Sequence, residues 1–436
     1  MIGVGISAGL TGAKRARSIQ DPLPALDLDW ATDRSLPAAY GPTPSFSRAS
    51  TGTFFNSSGV LTTAAINAPR FNHVYNGSSW VSKGLLVEEQ RTNINLYSEQ
   101  FNNAAYSINQ GVITANQASS PDGNTTAENL TASSGTVNPY VYMALTTANS
   151  SVYTFSIYVK KNTHDFVQVV MNGVANGFAN FNISSGVVGT LGAGGSATSS
   201  IVNVGNGWYR CVVTYTTAST SGNGFISLIG SATAGRGATF TAAGTESVYL
   251  WGQQLELGAF PTSYIPTTTA AVTRSADVCQ ITGSDFSGFW NASEGSAVIE
   301  FDSGGATTAS DVYLLNASSS GAFTTMALWS YLSTTSNNVI HRIRSGGSDV
   351  FNENIGSIYT VGASAKIGLA LKSGDSGITF NGGSSVTNSS TFTLSGINTF
   401  YFGQSPTGTA ALNGHIARLR YYTTRLTNAK LQELST

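Results

Sequence analysis

Alternation with a period of two constrains this chain more than any other feature. In residues 152–160, Tyr153, Phe155, Ile157 and Val159 share one face, and residues 208–215 and 297–301 alternate in the same way. Successive side chains take opposite faces only on an extended strand, so these β-branched and aromatic runs read as strands. Clusters of Gly, Asn and Ser bound them and read as tight turns. The turn signals recur about every 8–12 residues, the spacing of sandwiches and jelly rolls. Helical periodicity is confined to the last turns, where Thr427 is placed to cap and Leu431 and Leu434 to face inward. The expected fold is all-β and multi-domain: jelly-roll or β-sandwich modules, a flexible N-terminal arm and a short C-terminal helix.

Composition narrows the function. The 436 residues carry 21 Lys+Arg against 22 Asp+Glu, a net charge of −1, and charged residues make up only 10%. Such a balance lacks the basic footprint of a nucleic-acid binder. Ser and Thr total 108, yet 41% of the chain is hydrophobic, too much for a disordered polypeptide. The surface is thus expected to be hydroxyl-rich and uncharged. No apolar run approaches the ~20 residues of a membrane helix, so no membrane insertion is expected. At the N-terminus weakly apolar residues precede the cluster Lys14, Arg15 and Arg17, the reverse of a secretory signal. Two cysteines, Cys211 and Cys279, make no disulfide scaffold, and Cys211 alternates with Tyr209, Val213 and Tyr215 as a buried residue would. Maturation in a reducing cytoplasm is expected.

Composition shifts suggest five segments. Residues 1–28 read as a docking arm with a stiff exit at Pro22 and Pro24, and residues 29–98 as a small β module. A jelly roll over 99–262 follows, then a linker over 263–278 expected to lie extended on the surface, then a sandwich over 279–436. Gly5-Ile6-Ser7-Ala8-Gly9 fits the G-x-S-x-G pattern but has no strand before it to present a nucleophile, and it is read as chance.

Several blocks carry a resemblance. They are Phe46–Thr53, Asn67–Phe71, Gly84–Asn93 and Leu96–Phe101, followed by Pro121-Asp122-Gly123, Gly207–Arg210 and Leu250–Glu256. Pro261–Thr267, Thr273–Asp277, Asn413–Tyr422 and Arg425–Ala429 complete them. The pattern resembles a family of tail-fibre-like or minor structural proteins of tailed phages and prophages. In it the middle module looks like a carbohydrate-binding-module jelly roll, and the last like a concanavalin A/laminin G sandwich. The resemblance implies a non-enzymatic virion appendage assembled in the host cytoplasm, often homotrimeric. Its N-terminal end would dock on other virion proteins, and it would touch host surface polysaccharide. A capsid-decoration protein and a depolymerase tailspike are the alternatives.

Sugar recognition needs an aromatic platform flanked by hydrogen-bonding groups. Trp329 and Tyr331, and likewise Tyr140 and Tyr142, alternate onto one strand face and are the candidates, whereas Trp208 and Trp251 read as core. Glycan cleavage would need paired carboxylates. Glu300 and Asp302 share a strand face but read more simply as solvent-facing acids. Glu88 and Arg91 are expected to clamp a turn as a surface pair. His73, His164, His341 and His415 are scattered without metal-ligand spacing. No cofactor is expected beyond a structural Ca²⁺ that jelly rolls of this kind often hold; Asp122 is a candidate ligand, with a plain turn role the simpler reading.

Overall fold

A computed structural model describes residues 22–436 apart from 172, 175–176, 193, 221–223, 305–310, 320–321, 334–337 and 407–409, with backbone alone at 195, 322–329 and 357–358. The alternating segments form antiparallel sheets, and Asn428–Leu434 is the C-terminal helix. Thr427 caps that helix, its hydroxyl accepting from the Lys430 N–H, and Leu431 is buried beneath it with Leu434 alongside. No helix among the described residues is long and apolar enough to cross a membrane.

Two six-stranded sheets face each other in the middle of the chain. One runs Thr198–Asn203, Trp208–Thr216, Val152–Lys161, Ser247–Leu257, Ala127–Ala132, Gly111–Ala118. The other runs Val187–Leu191, Phe178–Asn182, Phe166–Met171, Gly224–Leu228, Tyr140–Met143, Tyr106–Asn109. Phe155, Ile157, Cys211 and Val213 from the first meet Val141, Val167, Val169 and Ile226 from the second in one continuous core. Burial pushes the Cys211 thiol well up, so it stays a neutral, small hydrophobe.

The second sandwich is not made from the C-terminal residues alone. Gly414–Tyr422 pairs with Glu294–Ser303 on one side, and on the other with Trp80–Val87 and Leu26–Leu28. Ser45–Ser47 joins the facing sheet through Val278–Thr282. Leu26, Leu28, Trp30, Leu85 and Val87 fill the core of this sandwich together with Ile299, Ile367, Leu419 and Phe402. The expected arm over 1–28 and small β module over 29–98 are corrected at Leu26–Leu28 and Trp80–Val87, which belong to this sandwich; residues 1–21 lie outside the described residues. These two strands bury Leu26, Leu28, Leu85 and Val87 against strands more than 300 residues away, while Leu61 and Phe55 pack on the jelly roll. The linker is corrected too. Tyr264, Ile265, Thr267, Arg274 and Asp277 are buried and Val272–Arg274 pairs with Arg91–Asn93, while residues 268–273 are exposed, so the segment is anchored in the fold at both ends and lies on the surface only between them.

Candidate functional site

Strand alternation in the second jelly-roll sheet presents an outward face in two rows. Tyr142, Phe225 and Val170 stand opposite one another across three strands. Beside them Tyr140, Ser227, Gln168 and Asn180 form a second row across four. Val141, Ile226 and Val169, the intervening residues, point into the core. The aromatics cluster: Tyr140 and Phe225 have ring centroids 5.1 Å apart, and Tyr142 lies 6.0 and 6.2 Å from them. Among the described residues neither tyrosine hydroxyl has a hydrogen-bond partner, and all three rings are half-buried.

A loop over residues 231–238 covers the polar row and stops short of the aromatic one. It is latched from below by an amide pair, Gln168 and Asn180, both fully buried. Gln168 Nε2 donates to Asn180 Oδ1 (2.7 Å) and to the Gly235 carbonyl (3.0 Å), and its Oε1 accepts from the Gly237 N–H (2.7 Å). Asn180 Nδ2 donates to the carbonyls of Ala232 and Ala234 at 3.1 and 2.8 Å. Between this loop and the rings lies an open cavity of about 420 Å³, lined by Asn138, Tyr140, Tyr142, Ala144, Val170, Phe225, Arg236 and Gly237. That volume falls in the range of small-ligand pockets. Asn138 Oδ1 is occupied by the Ser227 hydroxyl at 2.7 Å, which leaves its amide N–H groups for a ligand. Chemically the cavity offers ring faces for an apolar sugar face and donors at its rim.

Of the four residues picked from sequence, Tyr140 and Tyr142 therefore meet at one cavity. Tyr331 does not present a platform: it is 3% exposed, stacked on Tyr313 at 6.0 Å, and its hydroxyl accepts from Arg342 at 2.9 Å. Trp329 stands opposite Asn316 and Arg342 in register, and its side chain lies outside the described residues. Phe225, Asn138 and Arg236 were missed. Phe225 alternates with Ile226 as a strand residue should, but nothing local says that its neighbour is Tyr142. Trp208 and Trp251 are core, 2% and 1% exposed, packed with Tyr158 and with Tyr264 of the expected linker.

The carboxylates are tied to cations. Asp302 accepts from His415 Nδ1 at 2.6 Å and pairs with Lys83 at 3.3 Å, while Glu300 sits 3.8 Å from Lys366. Neither lines the cavity. Both oxygens of Asp122 are engaged within its own turn, by Ser120 Oγ and by the N–H and Nδ2 of Asn124. Among the described residues no three His, Cys, Asp or Glu side chains are grouped to hold a metal. His164 bonds the Ile229 carbonyl, His341 the Ser330 hydroxyl and His73 the Phe55 carbonyl. Lys14, Arg15, Arg17 and the Gly5–Gly9 motif lie outside the described residues.

Glu88 and Arg91 do not pair. Glu88 is 4% exposed and meets Arg70 at 2.8 Å and Arg274 at 3.3 Å, whereas Arg91 turns to Glu89 and covers the Phe260 ring. Asp277 holds Arg48 at 3.0 Å and Arg70 from its other oxygen, and it also accepts from the Glu88 N–H. These charges join the N-terminal segment to the expected linker. Burial alone would raise the Glu88 carboxyl, but Arg274, Arg70 and two hydrogen bonds from Ser263 hold it far below the usual range.

No family model and no curated protein matches the chain. Among solved structures, the CBM40 of the Ruminococcus gnavus IT-sialidase bound to α2,3-sialyllactose is similar at 16% identity, covering 34% of this chain and 84% of its own, with a TM-score of 0.29. Domain 4 of AbnA, an extracellular GH43 arabinanase from Geobacillus stearothermophilus, in complex with arabinotriose, is similar at 13% identity over 40% and 82% of the two chains, TM-score 0.30. Domains LG4-5 of the mouse laminin α1 chain match at 11% identity over 80% and 93%, TM-score 0.26. At such scores none of these bears on function, which has to be argued from the site.

Proposed function

We propose that the protein is a non-enzymatic glycan-binding appendage of a phage virion, a tail-fibre or receptor-binding protein that takes host surface polysaccharide. The observation that carries this reading is the open cavity walled by Tyr140, Tyr142 and Phe225 on the outer jelly-roll face. Pyranose rings have one apolar face, and stacking it on half-buried rings removes that face from water without burying the hydroxyls. The phage attribution comes from the sequence blocks alone. Homotrimeric assembly, with other virion proteins met through the N-terminal arm, belongs to the same reading. It suits weak single-site contacts, because several sites engaging one polymer gain avidity. A non-enzymatic role is supported by the private cation that each of Glu300 and Asp302 keeps, away from the cavity.

The test is binding of the purified, labelled protein to host cells with isolated surface polysaccharide as competitor, while the polymer's length is followed. Saturable, competed binding without shortening is expected. Tyr142→Ala and Phe225→Ala should each weaken it by about tenfold while leaving the melting temperature nearly unchanged. Shortening of the polymer would replace this reading by a depolymerase. Absence of binding, with immunogold label on capsids, would replace it by a decoration protein.

A further inference from the structure

We propose that His415 makes the tip of the Gly52–Ala64 hairpin an acid-released latch, because a proton on its Nε2 breaks the bridge that Asn72 forms to the Phe55 backbone. The latch is independent of the glycan-binding reading. Its basis is a hydrogen-bond chain whose donors and acceptors are fixed from both ends. The hairpin is a two-stranded sheet, Gly52–Phe55 with Leu61–Ala64, and side chains meet its outer edge where a further strand would. The Phe55 N–H donates to Asn72 Oδ1 at 2.8 Å. A backbone N–H cannot accept, so this bond commits the Asn72 oxygen and turns its Nδ2 to His415 Nε2, 2.8 Å away. Nε2 therefore accepts, and the ring proton sits on Nδ1, which donates to Asp302 Oδ1 at 2.6 Å. With Nδ1 already protonated, the second proton of an imidazolium can only enter at Nε2, where it faces the Asn72 N–H. Turning the Asn72 amide over does not help, since Nδ2 would then face the Phe55 N–H. One bond of the chain is lost either way.

The other charged and titratable groups around the ring do not relieve this conflict. Asp302, from Glu294–Ser303, accepts from both the backbone N–H and Nδ1 of His415. Burial alone would raise its carboxyl, but His415 and Lys83 hold it below the usual value, so it stays an anion and keeps Nδ1 protonated. Lys83, from Trp80–Val87, lies 3.3 Å from the other Asp302 oxygen, and Tyr359 bonds the Ser303 backbone beside it. His73 reaches the Phe55 carbonyl at 3.3 Å, and burial, with Arg34 nearby, pushes its titration down. Asn72 is the group that must let go. Its bridge holds the end of the hairpin that touches the jelly roll. There the Phe55 ring lies 4.9 Å from that of Trp80, and Leu61 donates its N–H to the Pro121 carbonyl and packs with Trp208 and Trp251. The Thr53 end is anchored separately, by Arg70 on its carbonyl and by its own hydroxyl on the Tyr264 carbonyl. Acid therefore loosens residues 55–61 and leaves the base of the hairpin in place.

The experiment follows the full chain from pH 8 to pH 5 by two readouts. NMR of the imidazole nitrogens, in a chain with four histidines, reports the tautomer. His415 is expected in the Nδ1–H form at pH 8 and to gain its proton at Nε2 in acid. Hydrogen exchange is expressed as protection, so that the intrinsic pH dependence of exchange cancels. Protection is expected to fall about tenfold over residues 55–61 and to hold constant over Glu294–Ser303. His415→Gln, whose amide can donate to Asp302 and accept from Asn72 at every pH, should remove the fall. Asn72→Asp, whose carboxylate accepts from both Phe55 and an imidazolium, should reverse it. Melting curves at pH 8 check that both variants fold, and the tautomer readout needs no variant. An Nε2–H tautomer at pH 8, protection of 55–61 that does not change with pH, an equal fall in both segments, or a fall that survives His415→Gln overturns the inference.

Discussion

Three guanidiniums and two carboxylates are buried together where the N-terminal segment meets the linker and the second sandwich. Arg48, Arg70, Arg274 and Asp277 are each at most 1% exposed. Charges taken so far out of water persist only when each is paired and hydrogen-bonded, and removing one partner strands the others at a cost of about 3–5 kcal/mol. Asp277→Asn is therefore expected to lower the unfolding free energy by about that amount, measured in urea, without touching the cavity. The same cluster makes the protein acid-sensitive. The Glu88 carboxyl is depressed in the folded state, so its contribution is present above the unfolded value of 4.5 and is lost as pH falls below it. Glu128 titrates in the opposite sense. It is 3% exposed, accepts from the Asn102 N–H at 2.8 Å, and burial pushes it up to about 7. Its folded value lies above the unfolded one, so its contribution is fully present below pH 4.5 and is lost as pH rises through 7. Glu128→Gln should flatten that fall and gain on the order of 1–3 kcal/mol at pH 8, read from unfolding curves at pH 5 and pH 8. An unchanged pH profile would contradict the assignment. Burial of this kind was legible for Trp208 and Trp251, which sit in apolar strands. It was not legible for Glu88, because a charged residue three positions from an arginine gives no local sign of being buried.

Strand-scale features were the most legible. Alternation in 152–160 and 208–215 predicted both which residues face the core and which face outward, and the observed register pairs Phe155 with Val213 and Ile157 with Cys211. It also put Tyr140 and Tyr142 on one face. What alternation leaves open is the neighbour across the sheet, and that is why Phe225 escaped notice. Gly84 illustrates a requirement set by a neighbouring strand. Its φ is +91°, and a Cβ there would fall 2.2 Å from the Ile416 carbonyl oxygen and 2.8 Å from the Ala417 Cα. Both atoms are backbone and cannot swing aside, so the Trp80–Val87 strand reaches Gly414–Tyr422 only with glycine at this point. Gly84→Ala should combine backbone strain with a broken pairing and cost at least about 1–3 kcal/mol. The measurement is a thermal melt, with hydrogen exchange of the Trp80–Val87 amides that face Gly414–Tyr422 to locate the loss. Full retention of their protection would sink the argument.

Over the whole molecule, the stitching of chain ends decides what folds with what. Leu26, Leu28, Trp30, Leu85 and Val87 belong to the core of the second sandwich. At roughly 1.5–3 kcal/mol for each buried side chain, their loss removes on the order of 10 kcal/mol, comparable with the whole stability of a domain. A fragment spanning 279–436 is thus expected to aggregate or to lack a cooperative transition by circular dichroism, whereas 22–436 unfolds cooperatively. A well-folded 279–436 fragment would refute this dependence. By itself the sequence determined the class of fold, the faces of its strands, the capped terminal helix and two of the rings at the cavity. Those properties are local, set by a side-chain period of two and by turn and cap chemistry within a few residues. Only the tertiary structure decided that the N-terminal strands complete the C-terminal sandwich, and that Phe225 and Arg236 join Tyr140 and Tyr142. Such facts depend on which strands pair across more than 80 residues, and pairing is selected by the fit of whole apolar faces and buried charges, which no short window of the chain contains.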